Sequence, residues 1–186
     1  MRRLLLVMLM TTAMALGARA QLLAVSTELT SDAVLAPSLG FELVTASRSS
    51  LALNAVYGKS ILGKKSKLLA VQPEYRYWFS GRPLSSWFIG VGTIATVYKI
   101  TYKGKVYDGY AAGAGFTFGY AWNITRRLSL DFHSGLGAIF YRRKEYYTID
   151  NYDVDYTDAQ GYQRANARGY DLLPTRIGIS VVYVLK

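Results

Sequence analysis

His133 is the single histidine of the chain and follows Asp131 by two positions. In an extended strand that spacing places both on one face, where a carboxylate can orient an imidazole as a general base. A nucleophile does not accompany them, because Ser134 alternates to the opposite face. No catalytic residue, and no cofactor, is therefore assigned. Glu42, Glu74, Arg76 and Arg176 fall on the same kind of sparse polar phase as Asp131 and His133. Six such groups in a low-dielectric interior are costly singly, so they are expected to pair as an interior polar network.

Two further groups of residues have chemistry. Lys64, Lys65, Lys67, Lys103, Lys105, Arg142, Arg143 and Lys144, with Lys59 and Lys99, gather near the ends of strand-like segments. Such a rim suits charge-assisted contacts to lipopolysaccharide phosphates. The stretch 144–171 carries Asp150, Asp153, Asp155 and Asp158, hard-cation ligands by type. It lacks the glycine and closing glutamate of an EF-hand loop, so it reads as a solvated acidic loop and no metal is assigned. Tyr146, Tyr147, Tyr152 and Tyr156 accompany these carboxylates, and rigid amphipathic rings make good contact surfaces. This loop is the expected contact site for a partner at the cell surface.

The elements that must position these residues follow from period-2 alternation. In 110–122, Tyr110, Ala112, Ala114, Phe116, Phe118, Tyr120 and Trp122 share one face, opposite Ala111, Gly113, Gly115, Thr117, Gly119 and Ala121. Similar alternation runs through 68–79, 128–140 and the C-terminal segment from Arg176, and more weakly through 22–29, 34–45, 50–60 and 86–100. Eight antiparallel strands are predicted. Links near 46–49, 80–85 and 123–126 read as short turns, and 61–67, 100–108 and 144–171 as longer loops, the asymmetry of an up-and-down transmembrane barrel. Pro37 and Pro73 should mark bulges or strand ends, since each removes a ladder donor.

Glycine decides which face is inside. Gly40, Gly58, Gly90, Gly92, Gly113, Gly115, Gly119, Gly135, Gly137 and Gly178 all fall on the minor phase. A narrow eight-stranded lumen needs small residues, whereas a soluble barrel would be left with a nearly uncharged Gly and Ala exterior. Aromatics suggest two interfacial girdles: Trp78, Phe79, Trp87, Tyr120 and Trp122 near the short turns, and Tyr98, Tyr102, Tyr107, Tyr110, Tyr141, Tyr146 and Tyr147 near the loops.

Composition agrees. The chain has 186 residues, 51% hydrophobic and 18% charged, with no cysteine, which excludes disulfides and thiol chemistry. Arg2 and Arg3, an apolar stretch from Leu4 to Leu16 and Ala18-Arg19-Ala20 form the pattern of a cleaved signal peptide over 1–20, leaving a barrel domain over 21–186. Losing Arg2, Arg3 and Arg19 lowers the basic count from 22 to 19 against 12 acidic residues. Beyond the leader no apolar run reaches the ~18 residues of a membrane helix. An exported chain whose basic residues lie mainly in turns and loops is not expected to bind nucleic acid.

Pro37-Ser38-Leu39-Gly40-Phe41-Glu42, Gln72-Pro73-Glu74-Tyr75-Arg76-Tyr77-Trp78, the glycine-rich 109–122 strand and Pro174-Thr175-Arg176-Ile177-Gly178 resemble a family of small exported β-barrel proteins of Gram-negative bacteria that carries an unknown-function label. The resemblance covers most of the mature chain. It implies a bacterial outer-membrane barrel, sometimes encoded near fimbrial or surface-assembly genes, with no established activity. The last strand also resembles the signal read by the barrel-assembly machinery, through Arg176, Gly178, Val181 and Tyr183, although it continues to Lys186 instead of ending on an aromatic. The expectation is an all-β, eight-stranded antiparallel transmembrane barrel, not an enzyme, acting structurally or by surface interaction through 144–171. The competing readings are a barrel-type lipid-modifying enzyme, a soluble periplasmic lipocalin-like carrier and a narrow solute channel.

Overall fold

The computed structural model describes residues 22–61, 64–102, 104–147 and 166–185. The leader expected over 1–20 lies outside them. Eight strands, β1 (Leu23–Glu28), β2 (Ser38–Ala46), β3 (Ser49–Ile61), β4 (Lys64–Trp78), β5 (Ser86–Tyr102), β6 (Lys105–Asn123), β7 (Leu128–Tyr147) and β8 (Asn166–Val184), form a closed antiparallel barrel in sequence order. A five-residue helix, α1 (Leu29–Ala33), follows β1. Closure is made by β1 against β8, over Ala24–Glu28 and Ser180–Val184.

The alternation read from the sequence becomes an inverted protein. The bulky phase faces outward: Phe116, Phe118 and Trp122 of β6, and Leu136 and Phe140 of β7, are all more than half exposed. The buried set is unusually polar, including Glu28, Glu42, Glu74, Arg76, Asp131 and His133. Burial normally selects apolar side chains; here the polar set is inside and the bulky apolar set outside. All ten minor-phase glycines lie on the buried or half-buried inner face.

Several expectations about the connections need correction. The stretches 61–67 and 100–108 are not long loops: strand pairing continues to Ile61↔Lys64 and Tyr102↔Lys105. The second hairpin turns through Gly104 at φ +77°, a conformation that glycine adopts without a Cβ penalty. Strands β4, β6, β7 and β8 therefore run four to ten residues past the ends expected from hydrophobic alternation, and β5 two. At the other end, β2 starts at Ser38 rather than 34, because α1 and Pro37 occupy the link.

Pro37 thus marks a strand end, as expected, but Pro73 makes no bulge. Pairing of β4 with β5 skips Gln72 and Pro73 and resumes in the same register at Glu74↔Gly92, so the missing donor opens a local gap. Register shifts occur elsewhere, at Val44/Ala46, Gly58/Ser60 and Gly135/Leu136.

Trp78 also departs from the girdle expectation. It is 1% exposed and packs inside against Phe88 at 4.8 Å between ring centroids, with Ala24, Leu84, Ala121 and Val182. Leu84 reaches this cluster from the β4–β5 turn at φ +63°, a left-handed conformation costing about 1–2 kcal/mol that its burial helps offset. An apolar plug therefore closes the short-turn end. Trp87 and Trp122 remain exposed there, while Trp87 contacts Phe118 and Tyr120 on the outer wall.

Candidate functional site

The inner face brings the six predicted network residues together. Arg76, 2% exposed, is the hub: its Nη1 donates to Glu42 Oε2 at 3.0 Å and Asp131 Oδ2 at 2.8 Å, and its Nε to Glu74 Oε2 at 2.9 Å. Arg176 Nη1 donates to the same Glu74 oxygen at 3.0 Å. The four strands β2, β4, β7 and β8 are thereby tied across the lumen by two guanidiniums. The Arg76 guanidinium also lies 4.5 Å from the centroid of the Phe88 ring, at the boundary with the apolar plug.

Register explains how such large groups fit. Arg76 faces Gly90 and Glu74 faces Gly92 across β4 and β5, while His133 stands between Gly119 and Gly178 on its two neighbours. Arg176 faces Gly135. A Cβ at Gly90 would collide with the Glu74 carboxylate, and one at Gly178 with Glu28. Small residues thus create the room that the charged side chains fill, and those chains fix the barrel by mutual hydrogen bonding.

Glu28 was missing from the predicted network. His133 Nε2 lies 3.2 Å from Glu28 Oε1, and Asn54 Nδ2 donates to Glu28 Oε2 at 3.2 Å. Ser50 was missed as well; its hydroxyl donates to Glu42 Oε1 at 2.5 Å and accepts from Trp78 Nε1 at 2.8 Å. The signal for Glu28 was present, since it shares a phase with Ala24 and Ser26, but a six-residue strand ending at a helix shows little periodicity. Four carboxylates, Glu28, Glu42, Glu74 and Asp131, now face Arg76, Arg176 and the imidazole.

The His133–Asp131 couple lies deep in the network. Its Nδ1 lies 3.6 Å from Asp131 Oδ1, the imidazole is wholly buried between two carboxylates, and Ser134 is exposed on the outer face. The two clefts that border the network have cavity volumes of only about 20 and 10 Å³, room for a water molecule or so each. Among the described residues no three His, Asp or Glu side chains are grouped to hold a metal ion.

The basic rim divides. Lys67, Arg142 and Lys144 are exposed, as are Lys59 and Lys99. Lys99 Nζ pairs with Asp108 Oδ2 at 3.2 Å and lies 5.5 Å from the centroid of Tyr146. Arg143 does not belong to an outward rim: it takes the inward phase of β7 and stacks over Tyr141 and Tyr107, at 5.5 and 5.9 Å. Alternation sends it opposite to Arg142 and Lys144. Lys64, Lys65, Lys105 and Tyr147 occupy strand positions, whereas Lys103, Tyr152 and Tyr156 lie outside the described residues, as do Asp150, Asp153, Asp155 and Asp158.

A family model described as protein of unknown function (DUF3575) matches residues 4–185. The chain belongs to that family. No curated protein and no solved structure is found to match it. The family assignment carries no activity, so the functional reading of this member rests on its polarity and its charged groups.

Proposed function

We propose that the protein is a bacterial outer-membrane barrel, exported by a cleaved leader and inserted by the barrel-assembly machinery, that acts at the cell surface as a structural or interaction protein. One observation carries the reading: the outer wall is apolar over a continuous band while the buried face is ionic. On β6 that band runs from Trp122 to Tyr110, twelve residues, or about 30 Å for a ~40° tilt, close to the ~25 Å apolar belt of such barrels. Water would have to solvate this wall in a soluble carrier, at a cost proportional to its area.

Partners in this reading are outer-membrane lipid, lipopolysaccharide at the basic rim, and a surface or fimbrial protein at 144–171. The reading includes no reaction, since the hydroxyl next in sequence to the buried imidazole, that of Ser134, points to the opposite face. The test is fractionation of expressing cells followed by electrophoresis of the membrane fraction with and without boiling. Outer-membrane recovery and a heat-dependent mobility shift are expected from a closed barrel that resists unheated detergent. A soluble periplasmic protein with one mobility would sink the reading.

A further inference from the structure

We propose that Arg142 and Arg168 form a clamp for the phosphate group of a membrane amphiphile on the outer wall of β7 and β8; the assignment rests on the outer-membrane reading and gives its basic rim a defined site. The two residues are direct register partners across these strands. Both are exposed on the outward phase, and among the described residues neither has a hydrogen bond or ion pair. Like charges directly opposed on one face are destabilising. Elsewhere at this level the chain supplies a counter-charge: Asp108 stands opposite Lys99 on one side, with a 3.2 Å ion pair, and opposite Lys144 on the other. Among the described residues no acid stands directly opposite the arginine pair.

A phosphate resolves this repulsion, since guanidinium forks bind its oxygens bidentately and two forks can share one anion. What lies beneath the pair specifies an amphiphile. Phe140 and Tyr170, each two positions from an arginine on the same face, meet at 6.1 Å between ring centroids and are 63% and 75% exposed. Leu136, Leu172 and Ile177 continue the exposed apolar wall toward the short-turn end. An acyl chain can follow that wall while its headgroup phosphate sits on the arginines, where the apolar band ends. A free phosphate would engage only the upper part.

The experiment uses the full mature barrel in detergent, titrated separately with purified lipopolysaccharide, phosphatidylglycerol and inorganic phosphate, with binding read from thermal unfolding and from lipid retained after purification. Arg142→Gln with Arg168→Gln is expected to weaken lipopolysaccharide or phosphatidylglycerol binding about tenfold or more, as two charge-assisted contacts are lost. Arg126→Gln with Arg127→Gln, which removes as many exposed charges from the turn between β6 and β7 at the opposite end, should change it less than about twofold. Equal losses in both variants, or undiminished binding in the arginine variant, would overturn the clamp. A shift of the same size with inorganic phosphate alone would overturn the amphiphile in favour of a free-anion site.

Should the double variant not fold, Arg168→Glu serves instead, because it replaces repulsion by attraction to Arg142. It should match or exceed wild-type stability without lipid and lose the lipid-induced shift; a retained shift would refute the proposal. Failure of the clamp leaves the boiling-dependent mobility of the wild-type barrel intact. Failure of the outer-membrane reading abolishes that mobility change.

Discussion

The two ends of the barrel use the same alternating sequence pattern to different effect. Toward the short turns, the inward residues Ser129, Asp131, His133, Gly135 and Gly137 of β7 and Phe88 and Gly90 of β5 are buried. Further along the same strands, Ile139, Tyr141 and Arg143, and Thr96, Tyr98 and Ile100, are only half-buried. The cause is the length of β1. It leaves the wall at Glu28, so its pairing with β8 covers only Ser180–Val184, whereas β8 runs on to Asn166 against β7 alone among the described pairings. Eight strands surround the lower half, and fewer surround the upper.

The ionic network lies in the half where the ring is complete, because only there is the dielectric low enough to make three bonds to Arg76 matter. Pro174 lies on the part of β8 that β1 does not reach, where a missing donor leaves no second-strand bond unmade. In the open half, cations are met by aromatic faces or exposed acids instead, as Arg143 and Lys99 are.

The contrast predicts a gradient of mutational cost. Arg76→Met should have the largest effect: it strands Glu42, Glu74 and Asp131 without their shared cation, and breaking a buried pair costs about 3–5 kcal/mol. Unfolding in detergent should reveal a large drop in midpoint or a failure to assemble, and an unchanged midpoint would contradict the closed-half account. Gly119→Val comes next, since a Cβ there would meet the Phe88 ring and stand 2.6 Å from the Phe132 carbonyl oxygen. Overpacking of this kind costs about 1–3 kcal/mol, and the same unfolding assay should place it between the other two variants. Lys99→Gln, in the open half, removes an exposed pair worth about 0–1 kcal/mol, and what difference it makes should fade as salt is raised. If it rivalled Arg76→Met, the two halves would not differ in dielectric as described.

Particular residues show how far the sequence could be read. The phase of Phe116, Phe118 and Trp122 against Gly113, Gly115 and Gly119 settled strand type, and the glycines chose the inner face correctly. Glu42, Glu74, Arg76, Asp131, His133 and Arg176 were identified as a group from phase alone, because a two-residue period and the cost of a lone buried charge both act locally. Trp78 was misplaced: an aromatic near a turn fits either a girdle or a plug, and phase was outweighed by position. Glu28 was missed because its strand is too short to show a period, and Arg143 was grouped with Arg142 and Lys144 because charge was read without alternation.

Strand type, strand number and the polarity of the two faces were determined by the sequence itself, since each depends on neighbours one or two residues away. Which charges meet was decided by the tertiary structure, for Arg76 reaches Asp131 across 55 positions and His133 reaches Glu28 across 105. The register that opposes Arg142 to Arg168 likewise exists only once two strands pair. The depth to which the barrel closes was decided in the same way, because it depends on where the shortest strand leaves the ring, a length that the alternation of any one strand cannot encode.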